Sequence, residues 1–323
     1  MNNNTTTSTS SSSSSCVVLS WSSSTVDART ATLYICSIAV VIHALFWIQF
    51  SLCSSVRQKG MMWIYAYLLT DLFLLFRFFL FYFQRIAEVC IPTVARVYLC
   101  YFEATSKIYT NTIQSYILLA LNVCRYIQIV FNRNVYSKHI YIIIFVHLLM
   151  YTLPIVNIAF QFLVNWTQLW KQLGGTCDIR YTSIYVQVYN LILIYIIPVC
   201  LNILFLSLCI RFMNQTKSIQ NQQIVNNRRK FYRKLLIQSI TFYTIWFLLW
   251  SPFVISFQFI NVNTVAGIAT SSLNYIQVAI DPAIVAIIDV RFTKAWKAAW
   301  RKIKNYRQAK IHPPVTTVIV RKR

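Results

Sequence analysis

Charge is what this chain lacks most. Of its 323 residues only 11% are Asp, Glu, Lys or Arg, and just seven are acidic; a soluble domain carries about 25% charged residues. Glycine is nearly as rare. Gly60, Gly174, Gly175 and Gly267 are the whole supply, so neither a phosphate-cradling glycine loop nor a nucleophile elbow can be built. The four histidines (His43, His139, His147, His312) are scattered, with no H-E-x-x-H and no Cys/His ligand spacing, so no metal centre is expected. No paired nucleophile and base remains, and the chain does not read as an enzyme.

What fills the chain instead is apolar: 57% hydrophobic, 16% aromatic, mean hydropathy +0.55. That composition suits lipid contact and predicts an all-α membrane protein, since helices satisfy their own backbone within a bilayer. A spanning helix needs about 20 mainly apolar residues. Candidate spans lie at 30–54, 61–83, 98–130, 139–163, 183–210, 234–260 and 265–289. The third is ambiguous, because YFEATSKIYTNTIQS (101–115) carries Glu103, Lys107, Asn111 and Gln114 ahead of the strongly apolar YILLALNVC.

Basic residues decide the count. Cytoplasmic loops are enriched in Lys and Arg. With seven spans and the N-terminus outside, the inner segments hold 23 of the 30 basic residues, eleven of them from Arg291 to Arg323. The net charge of +23 would suggest nucleic acid for a soluble protein; distributed this way it orients a membrane protein, and no nucleic-acid partner is expected. The domain plan is a disordered Ser/Thr-rich extracellular tail (1–28), a seven-transmembrane helix bundle (29–290), a short amphipathic cytoplasmic eighth helix (291–306) and a basic tail (307–323). Glycosylation sequons at Asn3, Asn4 and Asn165 fall outside. The triplet at Asn214 falls inside and should go unused. No signal peptide precedes the first span, which should itself direct insertion.

Arg125, in LNVCRYIQIV, sits at the inner end of the third span. On position alone it reads equally as a positive-inside anchor whose side chain snorkels to the interface. Cys100 lies near the outer end of the same span, and Cys177 in the long outer loop; a disulfide between them would tie loop to helix. Whether Cys16 and Cys90 pair is open. Proline occurs once in each of the last four spans, at Pro154, Pro198, Pro252 and Pro282, where each permits a kink.

From about residue 30 to 305 the chain resembles the rhodopsin-like (class A) G-protein-coupled receptors, as a divergent member. The resemblance rests on Asp71 in LLTDLFLL, Cys100, Arg125-Tyr126 in CRY, Cys177, Pro198, Trp250 and Pro252 in LLWSPF, and Asp281-Pro282 in DPAIV. Departures include His43 in place of an asparagine, Cys124 in place of the acid before the arginine, and Val285 in place of a tyrosine. The resemblance implies a plasma-membrane receptor for an extracellular ligand, coupled through Arg125 and Tyr126 to a heterotrimeric G protein, with the sixth span swinging at Trp250–Pro252. It also implies a disulfide between Cys100 and Cys177. A sodium ion near Asp71 would share a polar network with Gln114, Gln277 and Asp281; an ordinary buried network is the alternative.

The ligand site is expected among Arg77, Glu103, Lys107, Asn190, Trp250, Phe253, Phe257 and Tyr275. Glu103 and Lys107 are spaced to pair with each other on one helix face. Receptors for amines carry an aspartate where Lys107 stands, which disfavours an amine, and no lysine near Tyr275 could hold retinal. An acidic ligand, such as a peptide C-terminus, suits the cations. Beyond the last span, Phe292, Trp296, Ala299, Trp300 and Ile303 share one helix face opposite lysines and arginines, which predicts a contact with anionic membrane lipid. The competing reading is a transporter or channel, but no internal repeat of the transporter kind is present.

Overall fold

The computed structural model describes residues 21–301 apart from 22, 55–56, 58, 88, 132–135, 137–139, 172–175, 216–221, 260–264, 289–291 and 299. The sequons at Asn3 and Asn4, Cys16 and the basic tail 307–323 lie outside the described residues.

Long apolar stretches become long helices. They are α1 (Ser23–Leu52), α2 (Met62–Ile86), α3 (Thr93–Val130), α4 (Ile140–Leu163), α5 (Ile184–Gln215), α6 (Gln222–Phe259) and α7 (Val265–Ile288). A short α8 (Phe292–Ala298) follows α7 at a 75° bend. Six helices are long and apolar enough to cross a membrane, and the bent pair of α7 and α8 makes a further candidate. The protein is an all-α, multi-pass membrane protein by these criteria. The first helix begins at Ser23 rather than at 29, and α3 begins at Thr93, directly after Pro92, whose fixed backbone suits a helix start.

Burial is inverted relative to a soluble protein. Tyr141, Phe145, Leu148 and Val156 of α4 point outward. Asp71, His43, Gln114, Asn202 and Gln277 are wholly buried in the interior. This explains the ambiguous third span. Helix α3 runs unbroken through residues 101–115 because Lys107, Asn111, Gln114 and Ser115 face other helices, not lipid. It packs against α2, α4, α5 and α6 and is the central helix of the bundle. At about 1.5 Å per residue its 38 residues extend roughly 57 Å, well beyond a hydrocarbon core of about 30 Å.

Polar contacts tie α1 to the last two helices. Thr32 meets Ser272 at 3.0 Å, His43 Nε2 meets the Val278 carbonyl at 3.1 Å, and Gln49 donates to the Phe292 carbonyl at 2.9 Å. Phe292 is stacked on Phe46 and fully buried, which anchors α8, while Trp296 and Trp300 stay exposed. In α5 the backbone widens into a π turn over Ile192–Ile196, just before Pro198. The disturbed ladder frees carbonyls, and Tyr116 of α3 donates to that of Leu193 at 3.0 Å.

Between α4 and α5 an antiparallel hairpin interrupts the helical pattern, with β1 (Thr167–Lys171) paired to β2 (Cys177–Tyr181). Sequence periodicity gave no sign of it. Its entry bends through Asn165, exposed with φ 57°, a left-handed conformation that asparagine tolerates. The Cys100–Cys177 disulfide fixes β2 to α3. Cys90 is disulfide-bonded as well.

Candidate functional site

The hairpin covers a narrow cleft at one end of the bundle. About 70 Å³ of it is open to water, room for a few molecules. Five helices and β2 supply its walls: Arg29 from α1, Arg77 and Arg85 from α2, Glu103 and Lys107 from α3, Asp178 from β2, Phe253 from α6, and Asn274 and Tyr275 from α7. Phe78, Phe81 and Phe253 add aromatic surface.

Glu103 does not turn to Lys107. Both of its carboxylate oxygens accept from the Arg85 guanidinium, at 2.6 and 2.7 Å, and one also accepts from the Cys177 amide at 3.1 Å. A planar guanidinium matches a carboxylate with two parallel bonds, which an ammonium cannot do. Arg85 lies 18 residues away on another helix, and only the fold brings the two together. Lys107 instead sits over the Phe253 ring at 4.4 Å and within the field of Asp178. Burial pushes the Asp178 carboxyl above its usual range, the Lys107 charge opposes this, and the Ile179 amide donates to the carboxylate at 2.9 Å. Arg77 donates to the Ser106 hydroxyl and to the Glu103 carbonyl, both at 2.7 Å.

Two of the expected ligand residues lie elsewhere. Asn190 exchanges hydrogen bonds with Gln161 of α4 at 2.8 and 3.1 Å and does not face the cleft. Trp250 lies deeper, fully buried, stacked on Trp246 at 4.3 Å and donating to Asn111 Oδ1 at 3.3 Å. The Phe257 side chain is outside the described residues. Sequence reasoning missed Arg29, Arg85, Asp178 and Asn274. The two arginines sit at span ends, where a positive charge looks like an ordinary interfacial residue, and Asp178 lies in a hairpin that periodicity did not reveal.

Near the middle of the bundle, Gln114 donates to Asp71 Oδ1 at 2.7 Å and Gln277 to Asp281 Oδ2 at 3.0 Å. Gln277 also meets the Tyr67 hydroxyl. Four buried oxygens are left without a donor: Asp71 Oδ2, Gln114 Oε1, Gln277 Oε1 and Asp281 Oδ1. Buried oxygens without a donor leave part of this polar network unsatisfied. Among the described residues no three His, Cys, Asp or Glu side chains gather as metal ligands.

At the end opposite the cleft, Arg125 is 5% exposed and donates to Ser239 Oγ and to the Leu235 carbonyl at 3.3 Å, both on α6. Tyr126 turns to Phe131 and to Phe205 of α5. Beside the arginine, the Cys124 thiol meets Tyr136, whose phenol is raised above its ordinary range by burial first and then by that contact. No protein-family model matches the chain, and no curated protein matches it either.

Proposed function

We propose that this chain is a seven-helix receptor of the rhodopsin-like kind. The hairpin end faces outside the cell, the cleft takes an acidic ligand, and the opposite end promotes nucleotide exchange on a heterotrimeric G protein. The observation that carries the proposal is the contact of Arg125 with Ser239 and Leu235. It joins α3 to α6 at the far end through polar bonds that a rotation of α6 would break, which makes it a two-state element. Pro252 interrupts the hydrogen-bond ladder of α6 between that contact and the cleft. A ligand touching Phe253, directly or through Lys107 above its ring, therefore acts on the arm of α6 beyond Pro252, while the other arm is held by Arg125. Its influence is a shift of population between two packings, with no covalent step.

The acceptor oxygens around Asp71 and Asp281 would hold a sodium ion, whose charge would balance the two carboxylates. The exposed Trp296 of α8 and Trp300 just beyond it, each followed by a basic residue (Lys297, Arg301), would lie on anionic headgroups at the inner face of the plasma membrane. Asn165, exposed beside the hairpin, would then be accessible to glycosylation, and Asn214 would not. Expressed in cells and screened with acidic small molecules and peptides across several G-protein classes, the chain should give a ligand-dependent response that Arg125→Ala removes. Surface expression without any response to such a screen would count against the receptor reading and favour a transporter or channel.

A further inference from the structure

The charges in the cleft do not balance. Among the described residues, Arg29, Arg77, Arg85 and Lys107 share the cleft with two carboxylates, Glu103 and Asp178. Arg85 is matched by Glu103, and Lys107 lies in the field of Asp178. The surplus is two positive charges, and it is the same whether Lys107 and Asp178 face each other as ions or as a neutral pair. It resides on Arg29 and Arg77. Among the described residues neither has a carboxylate within ion-pair distance, and the hydrogen bonds of Arg77 go to a hydroxyl and a carbonyl, which leave its charge in place.

The two guanidiniums line the same cleft. Each lies in the field of the other, and both face the hydroxyl of Tyr275, which is 5% exposed. The Arg29 Nε is buried without an acceptor. Placing two like charges in one water-poor cleft is unfavourable unless an anion joins them. Next to them Asn274, 3% exposed, has an Oδ1 with no donor. The site therefore calls for two negative charges at Arg29 and Arg77 and a hydrogen-bond donor close by.

Resting on the reading of this cleft as the ligand site, we infer that the ligand carries a phosphomonoester, a head of two negative charges seated between Arg29 and Arg77. Its next atoms carry a hydroxyl or amide donor for Asn274, and its body lies against the aromatic wall. A phosphomonoester carries about −1.5 to −2 at neutral pH, with three acceptor oxygens in a geometry that two guanidinium forks can share. A carboxylate supplies one charge and would leave one arginine unanswered. The head can belong to a soluble organic phosphate or to a single-chain phosphate lipid, since both present the same group.

Purified protein in lipid nanodiscs, without any G protein, tests this through the shift of its thermal unfolding temperature with added probe. Phenyl phosphate should stabilise the protein at concentrations at least about tenfold lower than benzoate or phenyl sulfate, each of which has one charge. Arg29→Gln and Arg77→Gln should each remove that preference, and Arg180→Gln, on the exposed hairpin outside the cleft, should leave it intact. A second arm, with a single-chain phosphomonoester lipid in the nanodisc, tells the sources apart: stabilisation stronger than by phenyl phosphate assigns the site to lipid, and weaker to a soluble phosphate. Equal responses to all three aryl anions would overturn the inference, as would a phosphate preference that survives both arginine substitutions. If Arg77→Gln lowers the ligand-free unfolding temperature too far to be read, Arg29→Gln decides alone. The outcome is separable from the receptor proposal. A phosphate preference without nucleotide exchange would sink the receptor reading only, and exchange without the preference would sink this inference only.

Discussion

The Arg125 guanidinium donates to the Ser239 hydroxyl, and this contact joins α3 to α6 at the end of the bundle opposite the cleft. Beside the arginine stands a thiol, Cys124, where the rhodopsin-like receptors that the sequence resembles keep an acid, and on the proposed receptor reading that loss would raise basal signalling. Ser239 is a neutral partner on α6 that would supply part of that hold.

Removing that partner should loosen α6. A hydrogen bond to a charged group is worth about 1.5–3 kcal/mol, and each 1.4 kcal/mol is about tenfold in population. Ser239→Ala should therefore raise ligand-independent G-protein activation by about tenfold or more. Cys124→Asp, which gives Arg125 a charged partner on its own helix, should lower it. Basal activity measured side by side in the three forms checks both, and equal values would remove the latch from the account.

The Arg85–Glu103 pair should matter to stability more than a surface ion pair does, because its side chains are only 1% and 12% exposed. Breaking one partner of a buried pair costs about 3–5 kcal/mol. Glu103→Gln and Arg85→Gln should each lower the thermal unfolding temperature markedly. The double variant should fall well short of the sum, since the second change removes the charge left stranded by the first. Additive losses would show that the two residues act independently.

Cys100→Ser should release β2 from α3. The bond closes a loop of 77 residues, for which chain entropy predicts about 4 kcal/mol. Because Thr176, Cys177 and Asp178 form one wall of the cleft, releasing β2 should open it, and probe affinity should fall along with stability. A variant that kept affinity while losing stability would show that the hairpin does not shape the site.

Asp178 predicts a pH dependence. Burial raises its carboxyl above the usual aspartate range, against the pull of Lys107 and Arg77, and Glu103 adds to the rise. As pH falls through that raised value the carboxylate gains a proton, and the cleft becomes more positive by one charge. Phenyl sulfate, whose own charge is constant, should bind more tightly as pH falls from about 7 toward about 4. In Asp178→Asn that slope should flatten, and affinity near neutral pH should match the low-pH value of the original protein.

Much of the fold was legible because hydropathy reports lipid contact directly. The expected spans 139–163 and 265–289 match α4 and α7 to within a residue at each end. The third span was harder for a physical reason: Lys107, Asn111 and Gln114 look unsuited to a membrane until α3 is known to be surrounded by other helices. The site was half legible. Arg77, Glu103, Lys107, Phe253 and Tyr275 were identifiable as charged or aromatic residues in outer half-spans, and they do meet in one cleft. Their pairing was not, because Glu103 chose Arg85 on another helix over Lys107 one turn away. Asn190 was placed on the correct helix, but its side chain faces Gln161 of α4.

The central claim is receptor-driven nucleotide exchange, and its most direct test is GDP release from purified heterotrimeric G proteins mixed with this protein in nanodiscs. The account predicts faster release with at least one G-protein class, further acceleration by a phosphomonoester ligand, and loss of both effects in Arg125→Ala. Unchanged release with every class, together with solute movement across liposomes that contain the protein, would contradict it.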